Sequence, residues 1–257
     1  KQRPDNFVNQ FSIMKKILSF AIFLLSISSA QANCFIATEN NKIISQSGDC
    51  KTQHSPCSTF KIPISLMGYN EGILLDENHP KIPYDEKYEA FRESWKEPQT
   101  PASWIVNSCV WYSQIITNKM GEKKFGEYVK KFNYGNMDVS GGLNEAWLAT
   151  SLKISPKEQV EFLQKFLDKK FDVSEKTYAM TKNIFFNEQL ANGWKLYGKT
   201  GVCGVTKVQQ NGWFVGWFEK ENRKIIFASF YEEKGKRDYF VGKIAKEIAK
   251  EKTEKFR

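Results

Sequence analysis

"NGWFVGWFEKENRKIIFASFYEE", residues 211–233, decides how this chain is read. Two runs rich in aromatic and β-branched residues meet at a polar break, the pattern of adjoining strands. "GWKLYGKTG", residues 193–201, reads as a third strand just before them, and Asn211-Gly212 has the composition of a tight turn. At the other end, residues 34–47 read as two short strands with "ENN" between them. From Ser58 to about residue 185 the pattern is helical. Strands at both ends and helices in the middle predict an α/β chain of the α+β kind. The economical arrangement is one antiparallel sheet built from both chain termini, flanked by the first and last helices, plus an all-helical lobe. We place the sheet lobe at about 33–65 and 185–257 and the helical lobe at about 66–184, within a single domain, 33–257.

The helices have recognisable limits. "STFKIPISLMGY", residues 58–69, carries a wide apolar face of Phe60, Ile64 and Met67, with Ile62 and Leu66 beside it. Pro63 falls in the first turn of a helix starting near Thr59, where its missing N–H costs nothing, and Gly72 ends the pattern. Residues 76–107 are rich in charge, proline and aromatics and read as loop with short helices. "IVNSCVWYSQIITNKMG" (105–121) predicts one helix stopped by Gly121, and "EKKFGEYVKKFN" (122–133) another. Ser155, Pro156 and Glu158 open the next with an N-cap signal, and "SEKTYAMTKNIF" (174–185) follows. Residues 235–255 form a closing helix with Phe240, Ile244 and Ile248 at four-residue spacing.

The chain has 257 residues, is 41% hydrophobic and carries a formal charge of +9, enough apolar material for a well-buried core. "MKKILSFAIFLLSISSAQA", residues 14–32, has two lysines, an apolar stretch and a small-x-small site, the layout of a secretory signal peptide. Its apolar core is too short for a stable membrane span. Residues 1–13 read as an extension ahead of Met14. A periplasmic or secreted protein is expected. The lysines are interleaved with acidic residues, as in "KEKTEK", so a solvated basic surface is expected rather than a nucleic-acid partner. The chain has no C-x-x-C, and its two histidines, His54 and His79, support no zinc site and no histidine-based triad. Export favours disulfides. Of five cysteines, Cys34 and Cys50 are the expected pair, which leaves Cys57, Cys109 and Cys203 as free thiols beside the motifs described next.

Ser58 and Lys61 lie three apart at the head of an apolar helix, so one face presents both a hydroxyl and an amine. A serine needs a base to be nucleophilic at neutral pH. A lysine among Phe60, Ile62 and Ile64 is desolvated, which favours its neutral form and lets it accept that proton. Alone, S-x-x-K is weak. Its company is Ser108-Cys-Val110, Tyr134-Gly-Asn136, Trp147 in "EAWLATSLKIS" and Lys199-Thr-Gly201, in that order.

Together these motifs resemble the class D (oxacillinase-type) serine β-lactamases over roughly residues 34–250. The resemblance implies a β-lactamase/penicillin-binding transpeptidase-like fold and a small-molecule β-lactam substrate. Ser58 would form the acyl-enzyme. Lys61, carboxylated on its side-chain nitrogen by carbon dioxide or bicarbonate, would be the general base, with no other cofactor. Trp147 would donate to the carbamate and Ser108 would relay the proton to the leaving nitrogen. Val110 would border the apolar pocket, and Tyr134 and Asn136 would shape the helical side of the cleft. Lys199, Thr200 and Gly201 would line the side that takes the substrate carboxylate. The backbone N–H groups of Ser58 and Val202 would form the oxyanion hole. The family's carboxylate-binding arginine falls in "EEKGKRDYFVGK", where Arg237 is the candidate, although the simplest alignment of the last helix puts Val241 at that place. A monomer or homodimer fits this reading. Two others remain: a β-lactam sensor that acylates without turnover, and a basic structural protein.

Overall fold

The computed structural model describes residues 33–203, 209–234 and 241–257. The chain divides into a unit of residues 1–31 and a unit of residues 32–257, and every described residue belongs to the second. The expected extension, the signal peptide and Arg237 lie outside the described residues. Among those described, no helix is long and apolar enough to cross a membrane.

Six strands form one antiparallel sheet in the order β2-β1-β6-β5-β4-β3. They are β1 Cys34–Glu39, β2 Lys42–Gly48, β3 Phe186–Gln189, β4 Lys195–Cys203, β5 Gln209–Lys220 and β6 Arg223–Lys234. The two ends of the chain meet where β1 pairs with β6, Ile36 opposite Ala228. Period-two alternation explains why the central strands are apolar throughout. Trp213, Val215, Trp217, Ile226, Ala228 and Phe230 belong to the core on one face. Phe214, Phe218, Ile225 and Phe227 belong to the core on the other. Both faces are covered, so both parities of each strand are hydrophobic.

Two expectations about the strands need correction. Asn211-Gly212 is no turn: Asn211 pairs with Cys203 and Glu232, and Gly212 with Val202 and Tyr231, inside β5. The glycine is there for space, since a Cβ would meet the backbone carbonyl of Val241 at 2.5 Å. β3 escaped sequence reading because "FNEQ" is short and mostly exposed. Its strand geometry comes from pairing with β4.

Seven α-helices are described: α1 Lys61–Asn70, α2 Pro101–Asn107, α3 Val110–Met120, α4 Glu122–Lys131, α5 Pro156–Leu167, α6 Glu175–Ile184 and α7 Val241–Glu254. α5 starts in a capping box, with Ser155 accepting from the Glu158 N–H and Glu158 accepting from the Ser155 N–H. α7 packs on one sheet face against β4, β5 and β6. Its buried stripe is Val241, Ala245, Ala249 and Thr253, one position on from the expected Ile244 and Ile248, while Phe240 lies outside the described residues. Small residues on that stripe let the helix approach closely; a Cβ on Gly242 would lie 3.1 Å from the Gly201 carbonyl oxygen. The opposite face is covered by α5 from mid-chain, not by the first helix, which instead packs among α3, α4 and α6. In α1 every residue from Lys61 to Tyr69 is buried.

The segment expected as one helix over 105–121 is two, α2 and α3, broken at Ser108 and Cys109. No glycine or proline marks the break. Ser108 takes the left-handed conformation (φ 56°, ψ 33°), with its N–H donating to the Ile105 carbonyl. Tertiary bonds hold it: Trp95 Nε1 donates to the Asn107 carbonyl at 2.8 Å, and Trp111 Nε1 to the Trp95 carbonyl at 3.0 Å.

Cys34 and Cys50 are disulfide-bonded. Cys57 and Cys203 are also bonded, across 146 residues of sequence, which corrects their reading as free thiols. Spacing along the chain could not reveal a pair that only tertiary folding brings together. Cys109 alone is free, and it is buried.

Replacing Gly212 by valine should prevent α7 from seating on the sheet, because the clash is with backbone that has little room to move. Urea unfolding should read a loss of roughly 2 kcal/mol or more; an unchanged midpoint would contradict the packing described.

Candidate active site

Ser58 sits on a 3-10 turn, Cys57–Phe60, that runs directly into α1. The turn starts from an uncommon backbone, Cys57 at φ +47°. Its N–H donates to the Trp147 carbonyl at 3.0 Å. Behind the turn runs a buried chain of hydrogen bonds. Tyr134 Oη donates to Gln159 Oε1 at 3.3 Å, Gln159 Nε2 to Thr59 Oγ1 at 3.0 Å, and Thr59 Oγ1 to the Pro56 carbonyl at 2.7 Å. Ser58 is thus mounted on packed structure, yet stays partly exposed itself.

Lys61, the first residue of α1, lies three positions on and is 0% exposed. Its Nζ donates to Ser58 Oγ at 3.4 Å, a long contact that closes the pair. Burial pushes the Lys61 ammonium down to about 7, opposed by nearby Cys109 and helped by the positive charge of Arg92. At neutral pH a large fraction of this amine is therefore uncharged and able to take a proton. Lys199, on β4, is also buried and is held well below the usual lysine range, first by burial and then by the charges of Lys61, Arg92 and Lys246. Lys199 Nζ donates to the Thr200 carbonyl at 3.0 Å and reaches Thr200 Oγ1 at 3.4 Å. A site with two buried amines and a surface arginine acting on both is short of negative charge, which suits an anionic ligand.

β4 reaches the nucleophile turn through Gly201. A Cβ there would stand 3.0 Å from both the Pro56 carbonyl oxygen and Thr59 Cγ2. The next residue, Val202, is half-buried. Ser108 closes α2 and is half-buried, and Val110 is partly buried at the head of α3. Trp147 is fully buried and stacked on Phe60, ring centroids 5.6 Å apart. Among the described residues its buried indole Nε1 has no hydrogen-bond partner. Leaving such a donor unpaired costs about 1–3 kcal/mol, so an acceptor that supplies the bond would be held firmly.

Tyr134 and Asn136, expected to shape the helical side of the cleft, both have their polar atoms engaged with the protein framework. Tyr134 is fully buried, with its ring against Phe60 and Phe162, so it faces the core and not the cleft. Asn136 is exposed but its amide is committed, donating to the Ser151 carbonyl and accepting from the N–H groups of Asp138 and Lys153. Gly135 between them is at φ +55°, and a Cβ there would meet the Lys153 carbonyl oxygen at 1.9 Å. "YGN" is therefore a clip that fastens the Trp147-bearing segment. Val241, which the simplest alignment puts at the place of the family's arginine, is a buried aliphatic residue at the head of α7. Sequence reasoning missed Gln159, Thr59 and Arg92 as contributors, since each acts through a partner far away in the chain.

The penicillin binding protein transpeptidase domain family matches residues 26–254. Beta-lactamase OXA-9 of Klebsiella pneumoniae is 40% identical over 216 residues, 79% of each chain. The solved structure of OXA-427 class D beta-lactamase superposes with a TM-score of 0.82 at 38% identity, covering 88% of this chain and 100% of that one. The C-terminal domain of the Bacillus licheniformis BlaR penicillin-receptor gives 0.80 at 29% identity, over 89% of this chain and 92% of that one.

The depressed Lys61 titration has a consequence for stability. Between its folded value near 7 and its ordinary value of 10.5, the unfolded chain binds the extra proton, so stability rises with pH across that window. Lys61→Met removes this dependence. In degassed buffer the variant should exceed the wild type most below pH 7, by on the order of 5 kcal/mol. The gap should close as the pH nears 10.5. Parallel stability curves would contradict a buried Lys61.

Proposed function

The chain belongs to the class D β-lactamases, and we propose that it opens the lactam amide of penicillin-type antibiotics through an acyl-enzyme on Ser58, with Lys61, carboxylated on Nζ, as general base. The observation that carries this reading is the buried Lys61 amine, lowered to about 7 and placed 3.4 Å from Ser58 Oγ. Neutral amines are the form that takes up carbon dioxide, so the burial that frees the Lys61 nitrogen also favours its modification. The partnerless Trp147 indole N–H is a donor in waiting for the resulting anion. When present, the carbamate supplies a proton-accepting oxygen beside the serine.

The chain's own residues do the rest. Ser58 Oγ attacks the lactam carbonyl carbon. The backbone N–H groups of Ser58 and Val202 take the negative charge that develops on the carbonyl oxygen. Ser108 passes a proton to the lactam nitrogen as the C–N bond breaks. Water then cleaves the Ser58 ester, and the hydroxyl is restored. Lys199 and Thr200 receive the substrate carboxylate; Lys199, held far below its usual range, regains its charge when that anion arrives. Arg237 is proposed as a second cation for the same group. Export to the periplasm or medium after removal of residues 14–32 fits a protein that meets its antibiotic outside the cytoplasm.

Purified protein should destroy the β-lactam absorbance of benzylpenicillin, and Ser58→Ala should lower kcat by at least about 10⁴-fold. Intact-mass measurement should find the covalent adduct only transiently. A persistent adduct with no released product would instead place the chain with receptors such as the BlaR domain. Bicarbonate should restore activity lost on degassing at mildly acid pH, and Trp147→Phe should raise the bicarbonate concentration needed. Rates indifferent to bicarbonate would contradict Lys61 carboxylation.

A further inference from the structure

The two donors assigned to the oxyanion hole are each the immediate neighbour of a half-cystine: Cys57 precedes Ser58, and Cys203 follows Val202. We infer that the Cys57–Cys203 disulfide is a positioning element of the reaction, holding the Ser58 and Val202 N–H groups at the separation an oxyanion requires. The inference rests on the acyl-transfer reading above.

Ser58 stands on the 3-10 turn and Val202 on β4, in segments 146 residues apart at the bridge. β4 is paired with β5 along its whole length, whereas β3 pairs with it only at Lys195–Tyr197. From Lys199 to Cys203 its other edge has no strand partner among the described residues. It is this stretch that meets the nucleophile turn. Among the described residues no backbone hydrogen bond joins residues 55–60 to residues 199–203. The close approach at Gly201 limits how near the two can come but not how far they can part. Trp213 Nε1 donates to the Ser55 carbonyl at 3.0 Å and so ties the turn to β5, one strand further away. The disulfide is therefore the one covalent tie directly between the two donor-bearing elements.

Its placement fits that role. Cys203 lies on β4 beyond the stretch with which β3 pairs. Cys57 begins the turn in the left-handed region, and its N–H is held by the Trp147 carbonyl. The bridge thus fixes the stretch of β4 that lacks a β3 partner against an unusual turn, at the two residues adjoining the donors. Oxyanion donors work within about 2.7–3.1 Å of the oxygen, so a drift of less than an ångström forfeits most of the gain. The second disulfide, Cys34–Cys50, joins β1 to the segment after β2 and bears on neither donor. It is an internal control.

The test compares Cys57→Ala/Cys203→Ala with Cys34→Ala/Cys50→Ala. Active sites are counted by intact mass after titration with a slowly released β-lactam, kcat and KM are measured on benzylpenicillin, and urea unfolding is followed in parallel. The control should lose stability yet keep kcat per titrated site within about twofold of wild type. The Cys57→Ala/Cys203→Ala protein should lose at least about tenfold in kcat per titrated site, with KM moving less, because loss of one donor costs about 10²–10³. A kcat per titrated site within twofold of wild type would overturn the inference, whatever the unfolding midpoint. If the variant does not fold, the folded control protein is treated with a phosphine. Two electrons then pass to the Cys57–Cys203 bond, giving two thiols and, with water, the phosphine oxide. Circular dichroism checks that the fold survives, and the same two outcomes decide. Wild-type protein that acylates without turnover would end the hydrolase reading alone; the acylation rate constant then carries the comparison. Wild-type protein that does not acylate would overturn both.

Discussion

A lysine amine kept out of water is the constraint on which the rest of the structure turns. Lys61 could not be at once charged, buried and without a nearby anion except at a cost of several kcal/mol. α1 enforces the burial, since nine consecutive residues from Lys61 to Tyr69 are inside. That helix can be apolar all round only because α3, α4 and α6 surround it. These helices are thus the dry sleeve that turns an ordinary lysine into one able to exchange a proton near pH 7.

The Ser58 turn beside it is held from several directions. Gln159, Thr59 and Tyr134 brace the turn from within the core. Trp147 gives its carbonyl to Cys57 and its ring to Phe60, and its indole N–H has no partner among the described residues. Gly201 brings β4 against the turn, and Cys57–Cys203 bonds the two. Each contact removes a degree of freedom before any substrate arrives, which is what electrostatic preorganisation demands of a scaffold. The buried donor and the depressed amines break local rules of satisfaction and solvation. Such violations are expected where structure is arranged for chemistry.

Much of this was legible in the residues. The aromatic and β-branched runs within residues 213–230 read as strands, and a sheet covered on both faces is why both parities are apolar. Ser155, Pro156 and Glu158 announced α5 through backbone chemistry that is local by nature. Ser58 and Lys61 could be paired from their spacing alone, as helix geometry fixes it. What failed was non-local. Asn211-Gly212 has turn composition, yet Gly212 serves a helix that packs on it from 30 residues later in the chain. The break at Ser108 depends on Trp95 and Trp111 reaching across. Tyr134 and Asn136 carry polar atoms that the fold spends on its own framework. Cys57 and Cys203 flank recognised motifs, but only the sheet brings them together.

The most direct test of the central claim looks at the lysine itself. Protein incubated with ¹³C-bicarbonate at pH 8 should give a single protein-bound carbamate signal in the ¹³C NMR spectrum. It should be absent from Lys61→Met and should fade in wild type as the pH is lowered through 7. A fully active wild-type sample without that signal would contradict the account.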